Sequence, residues 1–244
     1  MIVRVKMCRK APPHLSRVTL DTLEILCPNV AMSMKVRKRI GREEFDYAAL
    51  MSALADYAKP NDKVTQLLRA EVIIRVKKGL YVFGEDYRRR PYSRELLANL
   101  VYGPSFVSLD YALAVHGLIP ERLAQVTSVT TGRARSFKTP VGTFVYRPTP
   151  REAFHLGMLR VEQEDIAFLI ADPERALADK IREDRTARVR SLAEARRYLL
   201  EDLRIDESRV TTLHPGSLHE YGVRLRSRKV QWCAKWLLRE GDKR

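Results

Sequence analysis

The chain has 244 residues, a formal charge of +15 at pH 7 and an isoelectric point of about 10.0, and 45% of its residues are hydrophobic. This length and composition are typical of one large or two ordinary globular domains. The sequence has no continuous apolar run of about 18 residues and no apolar stretch of a secretory signal, which argues against a membrane-spanning or secreted protein.

The charge indicates the kind of binding partner, and the cysteines indicate whether disulfides or a metal site are expected. A basic protein matches a partner with many negative charges because phosphate contacts release counterions, although charge alone does not separate DNA from RNA, ribosomes or acidic membranes. Cys8, Cys27 and Cys233 lie far apart and form no C-x-x-C pair, so neither a disulfide framework nor a metal site is expected. The sequence predicts a cytoplasmic protein without membrane contact.

The first segment, residues 1–41, is basic, nearly free of acids and punctuated by Pro12, Pro13 and Pro28. This composition favours a flexible extension over a DNA-contacting arm. A first helix is predicted after it, because apolar residues recur at helical spacing before Pro60. These residues are Tyr47, Leu50, Met51, Leu54 and Tyr57.

A second, short helix is predicted directly after Pro60. Val64, Leu67 and Leu68 share one face at i, i+3, i+4 spacing, so this face should pack inward. Either Asn61 or Asp62 can begin the helix by accepting backbone N–H bonds. The outward face then carries four polar side chains, Lys63, Thr65, Gln66 and Arg69.

A tight hairpin follows, in which the apolar period drops to two. Lys78 and Gly79 form its turn, because Gly accepts the positive φ of a two-residue connection. One face of the first strand is expected to carry Val72, Ile74 and Val76, and the other Ile73, Arg75 and Lys77.

Helix, turn, polar-faced helix and basic hairpin within residues 42–86 predict a winged helix-turn-helix that binds DNA. The helix residues Lys63, Thr65, Gln66 and Arg69 would contact base edges in the major groove. The hairpin residues Arg75, Lys77 and Lys78 would contact phosphates. The alternative is that the block is an ordinary helix and hairpin of an α+β protein with a solvated polar face.

A basic linker ends at Pro91, so a second domain is predicted over residues 92–244. Its expected helices cover residues 93–102, 109–116 with Ser108 as N-cap, and 173 onward with Asp172 as N-cap. Five short strands between them suggest an antiparallel sheet, at residues 125–130, 135–138, 143–147, 158–162 and 166–170. The predicted fold class is α+β: a winged helix-turn-helix, then a mixed α/β domain with an antiparallel sheet and C-terminal helices.

Five short segments of the second domain occur in an order that resembles the AbiEi family of abortive-infection antitoxins of type IV toxin–antitoxin systems. They are residues 105–113, 116–121, 126–133, 139–144 and 171–179, and the resemblance extends over about residues 44–185, including the turn 78–81. It implies a cytoplasmic repressor of its own operon that binds promoter DNA and antagonises a nucleotidyltransferase-type toxin, with no enzymatic activity. The chain departs from the family layout in its long basic extension and its compressed start of the helical motif.

Catalysis is weighed against this interpretation. Ser108, Asp110 and His116 lie close in sequence but fit helix-end positions. The acids Asp172, Glu174 and Asp179, with Lys180, have the residue types of a Mg²⁺ nuclease, yet Asp172 and Glu174 are explained by capping and the helix dipole. No cofactor motif is present.

A cationic hairpin in the second domain is the remaining candidate for a partner. Its residues could hold a phosphate or dock on an acidic partner, or form a solvated edge that discourages strand pairing. They are Thr130, Thr131, Arg133, Arg135 and Lys138. The sequence also leaves open a regulator without a toxin partner, direct contact with the toxin, and a homodimer.

Overall fold

The computed structural model describes residues 28–121, 123–163 and 165–241. Residues 1–27, most of the expected flexible extension, lie outside this range. We call residues 28–90 the N-terminal unit and residues 91–241 the C-terminal unit. Two clusters of buried apolar side chains lie in the structure, and a small β-sheet of the N-terminal unit contributes to both.

The N-terminal unit contains three helices and a three-stranded antiparallel sheet with strand order β1-β3-β2. In chain order its elements are α1 (Pro28–Arg39), β1 (Glu44–Asp46), α2 (Tyr47–Ala53), α3 (Pro60–Arg69), β2 (Ile73–Lys77) and β3 (Leu80–Phe83).

Helix α1 lies inside the segment that the sequence analysis treats as an extension. Met32, Val36 and Ile40, spaced four residues apart, are buried in the core of the N-terminal unit. Arg37 is also buried, donates to Glu43 and to the Ile40 carbonyl, and its guanidinium lies 4.3 Å from the centre of the Phe83 ring. Three cations of this segment, Arg37, Lys38 and Arg39, lie in the last turn of α1, where they interact favourably with the negative end of the helix dipole. The unit therefore begins before residue 42.

The sheet of the N-terminal unit is buried on both faces. Tyr81 and Phe83 of β3, with Ile73 of β2, pack against α1, α2 and α3 in the first core. Leu80 and Val82, which alternate with them along the strand, belong to the core of the C-terminal unit. The second face is completed by Val76 and by the half-buried Ile74. Two neighbouring cores thus share one sheet.

The C-terminal unit is a six-stranded sheet with helices packed against it. Its strands are β4 (Ser105–Val107), β5 (Gln125–Thr130), β6 (Arg135–Thr139), β7 (Gly142–Pro148), β8 (Met158–Gln163) and β9 (Ile166–Ala171). Its helices are α4 (Arg94–Val101), α5 (Leu109–Val115), α6 (Pro173–Glu183), α7 (Leu192–Arg197), α8 (Glu207–Val210), α9 (Pro215–Arg224) and α10 (Arg228–Gly241). A 3-10 turn (Arg151–Ala153) and a π-helix (Tyr198–Asp202) complete it.

The large sheet is mixed, which corrects the expected antiparallel arrangement. Its order is β6-β7-β5-β4-β9-β8, with β5 parallel to β7 and β4 parallel to β9. Strand β5 is buried along all but its first residue, so it needs a neighbour on each side, whereas β6 is largely exposed and lies at an edge. The short strand β4 was not predicted, because it has only three residues between a turn and a helix.

The mixed α/β class is confirmed, and so is the start of α6. Asp172 precedes Pro173 and accepts a 2.6 Å bond from the Arg175 amide, as an N-cap should. Ser108 precedes α5, but its hydroxyl donates to Asp179 at 2.8 Å and caps nothing. In the described part of the chain, no helix has the length and apolarity needed to cross a membrane.

A charged contact joins the two units beside the shared sheet. The Glu44 carboxylate on β1 is 1% exposed. It accepts hydrogen bonds from both terminal nitrogens of Arg90, at 3.1 and 3.0 Å. It also accepts a 2.5 Å bond from the Ser93 amide at the start of α4. Arg90 continues to Asp165 in the turn between β8 and β9, at 2.9 Å. One guanidinium therefore connects β1 with the C-terminal sheet.

We expect Arg90→Ala to lower the free energy of unfolding by about 3 kcal/mol, because it leaves Glu44 buried with one remaining donor. Arg88→Ala is the control, since Arg88 pairs with the exposed Glu85 and its guanidinium lies 5.8 Å from the centre of the Tyr92 ring, and it should cost about 0.5–1 kcal/mol. Urea unfolding followed by far-UV circular dichroism measures both. Equal effects of the two substitutions would contradict this role of Arg90.

Candidate nucleic-acid interface

The polar helix α3 begins at Pro60, two or three residues earlier than an N-cap at Asn61 or Asp62 predicts. Pro60 occupies the first helical position and Lys59 precedes it without a side-chain cap, so neither Asn61 nor Asp62 is the N-cap. Proline is favoured there because its fixed φ suits the helix and its missing N–H needs no partner. Val64 and Leu67 are buried, as predicted.

The outward face of α3 matches the prediction at three of four positions. Thr65, Gln66 and Arg69 are exposed. Lys63 is half-buried, donates to Gln66 at 3.2 Å and lies 5.5 Å from the centre of the Tyr57 ring. The Arg69 guanidinium makes no hydrogen bond or ion pair with any other described residue, so all five of its donors can serve a ligand.

The hairpin turn is the expected one, with Gly79 at φ 86°. A register shift between Arg75 and Lys77 leaves Val76 unpaired in the ladder, and its side chain turns into the core of the C-terminal unit. Val72 was expected to share a face with Ile74 and Val76. It belongs instead to the core of the N-terminal unit. The hairpin is therefore packed between two units along most of its length.

The three hairpin cations have different surroundings. Arg75 is exposed and its guanidinium lies 5.8 Å from the centre of the Tyr81 ring. Lys78 is exposed at the tip. The Lys77 ammonium donates to the Val101 carbonyl, the last residue of α4, at 2.6 Å, where the helix dipole favours a cation. Lys77 thus also holds the hairpin against the C-terminal unit.

Tyr47 is a surface residue, although its spacing fitted the helical apolar repeat. Its side chain is 42% exposed, and its hydroxyl donates to Asn61 of α3 at 2.8 Å. Its position directly after the N-cap Asp46 was the available signal, since first-turn residues often face solvent. Tyr47 extends the polar surface of α3 toward the start of that helix.

The predicted cationic hairpin of the C-terminal unit divides into structural and exposed residues. Thr130 is buried, donates to the Pro104 carbonyl at 2.8 Å and accepts from the Gly132 amide, so it shapes the loop. Thr131 is half-buried. Arg133, Arg135 and Lys138 are exposed, and none of them forms an ion pair with a described residue.

The residues weighed as a catalytic group are not brought together. Ser108 donates to the buried Asp179, whereas Asp110 pairs with Lys180 at 2.6 Å. His116 lies 2.7 Å from the Ala171 carbonyl through Nε2. A nucleophile, a base and an orienting acid therefore do not form a chain of hydrogen bonds here.

The acids near Asp172 are held in structural contacts. Asp179 and Arg175 form a fully buried pair at 3.0 Å, and Glu174 accepts from the His214 amide at 2.7 Å. Asp172 also accepts from the Tyr221 hydroxyl at 2.7 Å, and burial raises its pKa against these bonds. Within the described ranges no group of three or more His, Cys, Asp or Glu could hold a metal ion.

The buried Cys233 is not a reactive nucleophile, because burial raises the pKa of its thiol to about 12. Cys8 and Cys27 lie outside the described residues.

Comparison with known proteins gives a fold but no family. No family model matches the chain, and no curated protein matches it in sequence. Among solved structures, the crystal structure of the RV2827C protein from Mycobacterium tuberculosis is similar, with a TM-score of 0.51 at 17% sequence identity. The match covers 86% of this chain and 77% of that one, so it includes parts of both units.

We expect Asp172→Ala to lower the free energy of unfolding by about 1–2 kcal/mol, because the cap of α6 is lost. Asp172→Asn keeps an acceptor and should stay within about 0.5 kcal/mol of the original chain. Mg²⁺ should leave the melting temperature of the unsubstituted protein unchanged. A rise with Mg²⁺ that Asp172→Asn abolishes would instead identify a metal ligand.

Proposed function

We propose that this protein is a DNA-binding antitoxin of a type IV toxin–antitoxin system, which represses its own operon through a winged helix in the N-terminal unit. The observation that carries the DNA-binding part is the exposed polar face of α3 directly followed by a hairpin with exposed cations. The order helix, strand, helix, helix, strand, strand with one small antiparallel sheet is typical of winged helices and supports this assignment.

Base recognition is assigned to the outward face of α3. An Arg guanidinium matches the O6 and N7 acceptors of guanine, and a Gln amide matches the N6 and N7 atoms of adenine. Arg69 and Gln66 carry these groups on exposed positions, with Thr65 beside them. Lys63 donates to Gln66 and lies over the Tyr57 ring in this structure. It therefore positions Gln66 and is less available for a base contact.

Phosphate contacts are assigned to Arg75 and Lys78, which are exposed on the hairpin. Such contacts position a protein on the duplex without reading sequence. Lys77 already donates one of its three N–H groups to Val101, and the other two remain for a phosphate. The net charge of +15 favours binding to a polyanion in the same way.

The antitoxin part of the proposal rests on the resemblance of the segments in the C-terminal unit to AbiEi antitoxins. The partner would be a nucleotidyltransferase-type toxin encoded beside this gene. A regulator without a toxin partner is the alternative, and the two differ in one outcome: only an antitoxin restores growth when that neighbouring gene is expressed.

We expect the protein to bind the duplex upstream of its own gene about a thousandfold more tightly than a scrambled duplex at near-physiological salt. Arg69→Ala should weaken the specific complex by about 1–3 kcal/mol and the scrambled one little, because it removes a base contact. Lys78→Ala should weaken both and flatten the plot of log affinity against log salt by about 1. Fluorescence anisotropy titrations measure these values, and equal effects of the two substitutions on both duplexes would contradict the assigned roles.

We expect co-expression of this protein to restore the growth of cells that express the neighbouring nucleotidyltransferase gene. Arg69→Ala should keep this protection, because it changes only the DNA-reading face. Plating efficiency and immunoblots for equal protein levels provide the measurement. Loss of protection with Arg69→Ala at equal abundance would show that the two activities share a surface.

A further inference from the structure

Two neighbouring residues at the end of α4, Val101 and Tyr102, contact cations of both units. The Lys77 ammonium on the hairpin reaches the carbonyl of Val101 at 2.6 Å. The next residue, Tyr102, carries the Arg135 guanidinium 5.4 Å from its ring centre and the Phe137 ring at 5.8 Å. The hairpin of the N-terminal unit and β6 of the C-terminal unit therefore contact consecutive residues of one segment.

The loop before β6 is fixed at the same tyrosine. A Cβ atom at Gly132 would lie 2.5 Å from the Tyr102 hydroxyl oxygen, so only glycine lets the loop approach so closely. The Gly132 amide also donates to Thr130 at 3.1 Å. Arg133, the following residue, therefore belongs to a loop whose position is fixed by packing against Tyr102.

The charges on this surface are unbalanced. Several cations elsewhere in the C-terminal unit pair with acids, among them Arg160 with Glu162 and Lys180 with Asp110. In the described part of the chain, Arg133, Arg135 and Lys138 have no such acid within 4.0 Å. Side chains alternate along a strand and the register of β6 with β7 is regular, so Lys138 lies on the opposite face of β6 from Arg135. Cations on an edge strand also discourage strand pairing, which explains Lys138 but not Arg133 in the packed loop.

We propose that Arg133 and Arg135, which we call the β6 surface, bind the phosphate backbone of the same DNA duplex that α3 reads. The C-terminal unit is then part of the DNA interface, and this surface recognises phosphodiesters of double-stranded DNA rather than an acidic protein. The proposal rests on the proposed function, since it extends the contact that begins at the hairpin. It lengthens the duplex segment covered without adding base recognition.

The experiment compares full-length Arg133→Ala/Arg135→Ala with the unsubstituted protein on the upstream duplex and on a scrambled duplex, over a series of salt concentrations. Each lost phosphate contact should reduce affinity about fivefold at about 0.15 M salt and make the salt slope about 0.9 shallower. The loss should be equal on both duplexes. Arg224→Ala, an exposed cation on α9 without an ion pair among the described residues, is the control and should change neither quantity.

The outcomes separate the two proposals. If the unsubstituted protein prefers its upstream duplex and the double variant keeps the same slope and affinity, the β6 surface does not bind DNA and the inference is overturned. If the protein binds both duplexes equally and the double variant weakens both, the inference holds and specific repression fails. If the protein binds neither duplex, both fail.

Two further measurements guard against indirect effects. Arg133→Gln/Arg135→Gln removes the charges with less loss of side-chain volume and should reproduce the shallower slope. Circular dichroism melting should show each variant folded at the titration temperature. A variant that loses DNA affinity with an unchanged salt slope would point to distortion of the Tyr102 region and would overturn the phosphate assignment.

Discussion

The three-stranded sheet β1-β3-β2 is buried on both faces, and the positions of α3 and of the C-terminal unit both follow from that burial. Fully burying one Val or Leu side chain contributes about 1.5–3 kcal/mol, and Leu80 and Val82 are buried on the face toward the C-terminal unit. A buried ion pair gains little after its desolvation cost. The apolar face therefore holds the units together, while Glu44 and Arg90 penalise other alignments, because a shifted sheet would leave Glu44 buried without its partner.

The shared sheet also determines what the hairpin can do. A hairpin that projects into solvent can adapt to DNA by bending, whereas this one is held by two cores and by the bond from Lys77 to Val101. Its exposed cations are therefore presented at fixed distances from α3. Fixed positions reduce the ordering cost of binding, because fewer side chains and no backbone need to be immobilised.

Patterns within a few residues of sequence predicted the elements that neighbouring residues determine. The i, i+3, i+4 spacing of Val64, Leu67 and Leu68 located α3, and the demand for positive φ located the turn at Gly79. Of the predicted α3 face, Thr65, Gln66 and Arg69 are exposed because the same spacing buries the opposite side.

Features that depend on distant partners could not be predicted from local patterns. Helix α1 was hidden because Arg37, a typical surface residue, is buried against Glu43 and Phe83. The hydroxyl of Ser108 suits a helix cap, but the buried Asp179 competes for it. The contact of Lys77 with α4 and the neighbours of β5 in the sheet are set by packing between segments far apart in sequence. The same limit applies to Arg135, whose contact with Tyr102 joins segments far apart in sequence.

The two-faced sheet has an evolutionary consequence. A gene fusion that joined residues 28–90 to another partner would expose Leu80 and Val82, which pack in the core of the C-terminal unit, to water. The new partner would need an apolar surface of the same shape and an arginine placed as Arg90 is. Recombination at the basic linker is therefore disfavoured, and the two units are expected to be inherited together.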